Sequence, residues 1–168
     1  KVTTITAITN LGYTYLGWYN GETKLTDELS YTFSMPSENV VYTAKWEVKP
    51  EMSIFNFTST ATTCAITGIK DETVTEIIVP DYVTSIEKHA FYNCNALTKV
   101  NYMGEIDRWC TIDFGPSWSR DLYSLYINNS LVTDAYISTT SRINEYAFEN
   151  CGSITKVSIG YNVTRIGD

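Results

Sequence analysis

The residues able to do covalent or metal chemistry are few, and their spacing does not favour it. Four cysteines occur, at Cys64, Cys94, Cys110 and Cys151, and no Cys-x-x-Cys pair offers the spacing of a zinc site. His89 is the only histidine, so a Ser-His-Asp or Cys-His arrangement has one possible base. It precedes a repeated turn phrase, which makes it a surface side chain. Acid–base work by carboxylates needs two of them held in a cleft in different environments. Glu105, Asp107, Asp113 and Asp121 crowd one stretch, yet no spacing singles out a pair. No D-x-D-x-D-G loop is present for calcium. The expectation is no enzyme, no catalytic residue, no metal ligand and no cofactor. The cysteines read as small buried apolar filler, with a Cys64–Cys110 disulfide left open.

Aromatic residues are the other chemical resource. Between 102 and 130 lie Tyr102, Trp109, Phe114, Trp118, Tyr123 and Tyr126. Gly115-Pro116-Ser117 reads as a turn that carries Trp118 to an exposed loop tip. Aromatic rings stack on sugar faces and dominate protein-protein hot spots. Trp109 and Phe114 are expected to fold back on the body of the protein. Trp118, Tyr123 and Tyr126 are the candidate ligand contacts.

The elements that must position these residues are strands. Charged residues make up only 18% of the chain while Thr, Tyr, Val and Ile are plentiful, a balance that favours sheet. The 168 residues fit one domain or two small ones. Twelve Lys and Arg against 19 Asp and Glu leave a net charge of −7, which argues against nucleic acid, whose phosphates demand a basic footprint. From residue 51 onward eight basic residues face 14 acidic ones, the usual sign of a solvated surface. A hydrophobic content of 43% excludes disorder, and no apolar run approaches the roughly 18 residues of a membrane span. The chain opens at Lys1 without a charged-then-apolar leader, so a signal peptide is expected to lie outside this sequence.

Two grammars follow one another. Residues 1–48 alternate in short runs, Val2 to Ile8, Tyr13 to Tyr19, Ser30 to Met35 and Val40 to Val48, and predict a small β-meander with a hairpin signal at Asn20-Gly21. Residues 49–63, opening Lys49-Pro50-Glu51, read as a linker or a first capping strand. A solenoid is expected over residues 64–168, and from residue 74 the chain repeats. Val74-x-x-Ile77-x-Val79 returns as Leu97-x-x-Val100-x-Tyr102, as Val132-x-x-Ala135-x-Ile137 and as Ile154-x-x-Val157-x-Ile159. A second phrase, Val83-Thr84-Ser85-Ile86 leading to Ala90-Phe91-x-x-Cys94, returns as Ile143 leading to Ala147-Phe148-x-x-Cys151, and starts again at Val163 and Ile166. These positions form the expected core. The periods of 23 and 22 residues predict one strand per rung of a leucine-rich solenoid, and the longer 97–132 interval places an insertion at about 102–130. Since a rung separates them, Cys94 and Cys151 stand too far apart to bridge.

The string I-x-x-x-A-F-x-x-C-x-x-L-x-x-V over residues 64–168 resembles the BspA-like leucine-rich repeats of bacterial and protozoan surface proteins. The residues GYTYLGWYNGETKL with SYTFSMP and VVYTAKW resemble the divergent internalin B-repeat, an all-β module of bacterial surface proteins. The second resemblance implies a module truncated before its first strand, with Trp18, Tyr19, Phe33 and Trp46 as its own core. The first implies a right-handed, mainly β solenoid that stops at Asp168 in mid-repeat without a capping unit, so either a longer native protein or another chain over the open end is expected. Together they imply an extracellular or cell-surface bacterial protein that adheres to or recognises a host or neighbouring-cell protein or glycan through the solenoid. A stalk without a ligand, or a glycan-binding module of a larger extracellular enzyme, are the alternatives. Three Asn-x-Ser/Thr triplets, at Asn56, Asn128 and Asn162, would matter only under eukaryotic secretion. Oligomeric state and partner identity are not readable from the sequence.

Overall fold

The computed structural model describes residues 1–167; Asp168, the last residue of the expected solenoid, lies outside the described residues. The N-terminal module contains β1 (Val2–Thr6), β2 (Tyr13–Asn20), β3 (Thr23–Thr26), β4 (Ser30–Ser34) and β5 (Tyr42–Val48). The β2–β3 hairpin turns through Gly21-Glu22, one residue later than the Asn20-Gly21 signal, because Asn20 still pairs with Thr23; Gly21 sits at φ 58°. Pairing is not sequential throughout: β3-β2-β5 form one antiparallel sheet, and β1 pairs with β4 as a second. The four aromatics expected to make one core are therefore divided. Trp18 is buried and donates its indole N–H to the Leu29 carbonyl at 2.9 Å. Phe33 packs half-buried on Tyr42, Trp46 packs on Tyr15, and Tyr19 lies beneath the Lys45 ammonium. A module this small has too little apolar surface to cover every ring.

A single 3-10 turn, Pro50–Met52, leads into β6 (Phe55–Ser59). This strand pairs antiparallel with β7 (Cys64–Ile69) and closes that edge of the solenoid, so the 49–63 segment supplies the capping strand. Met52 and Phe55 are buried with the solenoid core. Each rung then places one strand in each of two parallel ladders. The first ladder stacks β8 (Glu76–Val79), β10 (Lys99–Tyr102) and β12 (Ser124–Ile127). The second stacks β9 (Ser85–Ile86) between β7 and β11 (Asp113–Phe114). Single parallel bridges, Phe91 to Ser119 and Tyr123 to Cys151, mark the third corner. Strand alternation sends Ile77, Val79, Val83, Ile86, Val100 and Leu125 inward, and Ala90, Phe91, Cys94 and Leu97 close each turn. The turns repeat a backbone requirement as well: His89, Ser117 and Tyr146 sit at φ 61°, 55° and 60°, each just before the residue that drops into the core.

The interval from 102 to 130 is not a loop laid over the solenoid but most of a rung. It holds α1 (Ile106–Trp109), β11 and β12, the last carried by an unrecognised copy of the repeat, Leu122-x-x-Leu125-x-Ile127. A two-residue turn at Asn128-Asn129, with both φ angles positive, then returns the chain as β13 (Ser130–Leu131) along β12. Beneath it Asn101 is fully buried and paired at both ends of its amide, donating to Asn129 Oδ1 at 2.7 Å and accepting from the Asn129 N–H at 3.0 Å.

The hairpin interrupts both ladders. They resume one step aside as β14 (Asp134–Ile137) with β16 (Lys156–Ile159), and β15 (Arg142–Ile143) with β17 (Arg165–Ile166). Side chains splice the two blocks. Asp107 Oδ1 accepts the N–H groups of Ser138, Thr139 and Thr140 at 2.9, 2.7 and 3.0 Å. The Asn144 amide donates to the carbonyls of Thr111 and Ile112 and to Asp113, while its N–H meets the Cys110 carbonyl at 2.8 Å. Ile137, Ile143 and Ala147 remain buried beyond the splice. Phe148, Cys151, Ile154 and Val163 are half-buried, and Val157, Ile159 and Ile166, expected in the core, are exposed. They lie on the last described rung, where no described strand stacks over them.

All four cysteines are free thiols. Burial pushes Cys64 up to about 11 and Cys110 up to about 12, and raises Cys94 as well. A thiol-disulfide reagent should therefore label at most the half-buried Cys151 in native protein and all four cysteines after unfolding; rapid native labelling of Cys110 would contradict this packing. Burial works to raise the Asp107 carboxyl, but the three backbone donors outweigh it and leave the group below its ordinary value. A depressed carboxyl stabilises the fold fully above the unfolded pKa near 3.9 and loses that contribution as pH falls through the folded value. Asp107→Asn should thus lower stability at neutral pH by about 1–2 kcal/mol. It should also flatten the loss of stability below about pH 4, as read by urea unfolding across pH.

Candidate functional site

The aromatic platform expected at a loop tip does not exist. Trp118 is fully buried, with ring centroids 5.3 Å from Phe114, 5.2 Å from Tyr123 and 6.1 Å from both Trp109 and Phe91. Its indole N–H donates to the Tyr146 carbonyl at 3.1 Å, and that of Trp109 to the Ala147 carbonyl at 2.8 Å. Trp109 and Phe114 fold back as expected, but Trp118 and Tyr123 go with them. The reason is energetic. An aromatic side chain covers about 150–250 Å², and at ~25 cal/mol per Å² its burial contributes about 4–6 kcal/mol, which an exposed loop would forfeit. Tyr123 is likewise buried, and burial raises its phenol well above the ordinary value. Only Tyr126 faces outward, half-buried beneath the Lys99 ammonium at 4.6 Å, with Lys99 also paired to Glu76 at 2.7 Å.

The four carboxylates do not converge on one another. Asp107 splices backbone, and Asp113 takes the Asn144 amide at 2.8 Å with Arg142 at 3.8 Å. His89 is exposed against the Tyr92 ring. Among the described residues no group of His, Cys, Asp and Glu is placed to hold a metal ion. None of their helices is long and apolar enough to cross a membrane.

What the structure brings together instead is a polar groove on the outer face of the second ladder. Two adjoining clefts of about 240 and 220 Å³ share Asp113 and Arg142. Arg108, Thr84 and Thr111 line one, and Asn144, Glu145 and Arg165 the other. Strand register sets Arg142 directly beside Arg165, both exposed. Like charges side by side on neighbouring strands repel, and no ion pair among the described residues engages Arg165. Three of the eight cations beyond residue 50 thus collect at one groove of an acidic chain, against two carboxylates, Asp113 and Glu145. Sequence reasoning passed over them, although the period alone aligns Ser141-Arg142-Ile143 with Thr164-Arg165-Ile166.

Comparison with known proteins bears on the scaffold. A profile of the BspA type leucine rich repeat region matches residues 69–168 in 6 copies, and one of the divergent InlB B-repeat domain matches residues 1–50. Among solved structures, this chain is similar to a leucine rich cell surface protein from Faecalibacterium prausnitzii A2-165, with 17% identity and a TM-score of 0.35. The match covers 68% of this chain and 49% of that one, so the chain spans about half the length of that neighbour. No curated protein matches it. With more than half of its length inside the repeat profile, the chain belongs to the BspA type leucine rich repeat family, and its repeats follow a divergent InlB B-repeat domain.

Proposed function

We propose that this chain is a non-catalytic recognition module that works outside the cell or at its surface, binding a protein or glycan partner through the solenoid. The membership in a repeat family supports a recognition role, and the dispersal of His89, the cysteines and the carboxylates supports the absence of catalysis. The observation that carries the reading is the in-register pair Arg142 and Arg165 inside a groove. A repulsive cation pair is relieved by an anionic group laid across it, and guanidinium forks match carboxylate and sulfate geometry. The contact is therefore an acidic one: a carboxylate- or sulfate-bearing segment of the partner lies in the groove at Arg165 and competes with Asp113 for Arg142.

Surface binding to a panel of host matrix and mucosal proteins and to a glycan array provides the test. A saturable hit should weaken at least tenfold in the Arg142→Ser, Arg165→Ser double variant and as ionic strength rises. Both positions are exposed, so the variant should unfold within about 0.5 kcal/mol of the parent. A hit unaffected by the double substitution would remove the groove from the binding surface. A folded chain with no hit at all would favour the stalk.

A further inference from the structure

A second, chemically different cleft lies where the two modules meet. It measures about 270 Å³ and is lined by Ile8, Asn10, Tyr13 and Trp46 of the N-terminal module and by Ser59 of the capping strand. Its walls are tied together. The Leu11 N–H donates to the Thr60 carbonyl at 2.9 Å, and the Tyr13 ring packs on Phe57 at 5.3 Å. Gly12, at φ 80°, lies so close to Phe57 and Met52 that a side chain there would strike the Phe57 ring. Lys49 reaches over the Tyr82 ring, and the Tyr82 hydroxyl donates to Glu51 at 3.1 Å. The cleft is preformed.

Its lining has an unusual accounting of polar groups. Trp109, Trp118 and Trp18 each place the indole N–H on a carbonyl, whereas that of Trp46 has no partner among the described residues. The Asn10 side chain and the Tyr13 hydroxyl have none either, and Asn10 is exposed, so these groups are open to a ligand. Ser59 lines the cleft, but its hydroxyl oxygen is covered and out of a ligand's reach. The five lining residues carry no charge. Two aromatic side chains, one aliphatic wall and three neutral hydrogen-bonding groups suit a ligand that offers C–H faces and hydroxyls together. The volume falls below the roughly 300 Å³ at which sites for drug-sized ligands begin, so it holds one ring.

We propose that this cleft binds a single neutral pyranose unit of a glycan, its face against Trp46 and its hydroxyls on Asn10 and the Tyr13 hydroxyl. The site is separate from the arginine groove and neither reading depends on the other.

Tryptophan fluorescence reports on it selectively, because Trp18, Trp109 and Trp118 are buried and Trp46 is not. The full chain is titrated with the methyl glycosides of glucose, galactose, mannose and N-acetylglucosamine, with glucuronate as the charged control. At least one neutral sugar should give a saturable change with half-saturation on the order of 1 mM, the range a one-ring ligand reaches. Tyr13→Phe and Asn10→Ala, which leave the aromatic packing in place, should each weaken it by about fivefold or more. The proposal is overturned by no saturable change at concentrations well above that range, by an equal response to glucuronate, or by full affinity in both variants.

Discussion

No rung of this solenoid can cover its own apolar layer. A strand pair with its turn exposes one sheet of side chains above and one below, and only a neighbouring rung removes them from water. The same repeat positions show this directly. Val100, Tyr102 and Ile86 are buried where strands stack on both sides, while Val157, Ile159 and Ile166 are exposed on the last described rung. The capping strand β6 and the turn carrying Met52 apply the rule at the opposite edge, where antiparallel pairing ends the ladder. The aromatic cluster of Trp109, Phe114, Trp118 and Tyr123 applies it in the middle, where a widened rung leaves more space to fill than Ile and Val can occupy.

Much of this was legible in the residues because burial and period coincide. A strand with Ile77 and Val79 on one side of its pleat announces itself, and so does Ala90-Phe91-x-x-Cys94, where a tight turn must drop small and flat groups inward. Legibility failed where the phrase was rewritten. In Leu122-x-x-Leu125-x-Ile127 the leucine that opens the phrase is exposed, and Tyr123 takes the inward place, so the strand looked like loop. The same misreading sent Trp118 to the surface. Gly115-Pro116-Ser117 is indeed a turn, but a turn of the solenoid itself, with Ser117 in the left-handed region that its counterparts His89 and Tyr146 also occupy.

Both candidate sites were illegible for a different reason. The groove depends on Arg142 meeting Arg165, which are 23 residues apart in the chain and neighbours in register. The cleft depends on Trp46 and Ser59 facing one another across a junction between two modules. Composition could mark the chain as acidic, yet it could not show that the few cations converge. The aromatic residues of the N-terminal module read as core. Three of the four are only half-buried, and one of those lines a cleft.

The splice at Asp107 and Asn144 has a consequence for how the protein comes apart. In a stacked-repeat chain, cooperativity is a nearest-neighbour coupling that decays wherever an interface is weakened. Within each block the coupling runs through backbone ladders and shared apolar layers. Across the splice the backbone supplies the single Tyr123–Cys151 bridge and the Asn144 N–H on Cys110. Further polar coupling is borne by the side chains of Asp107 and Asn144 and by the indole N–H groups of Trp109 and Trp118 reaching to Ala147 and Tyr146. The array behaves as two cooperative segments joined at a seam. Under load or heat the seam is therefore the place where the array would divide.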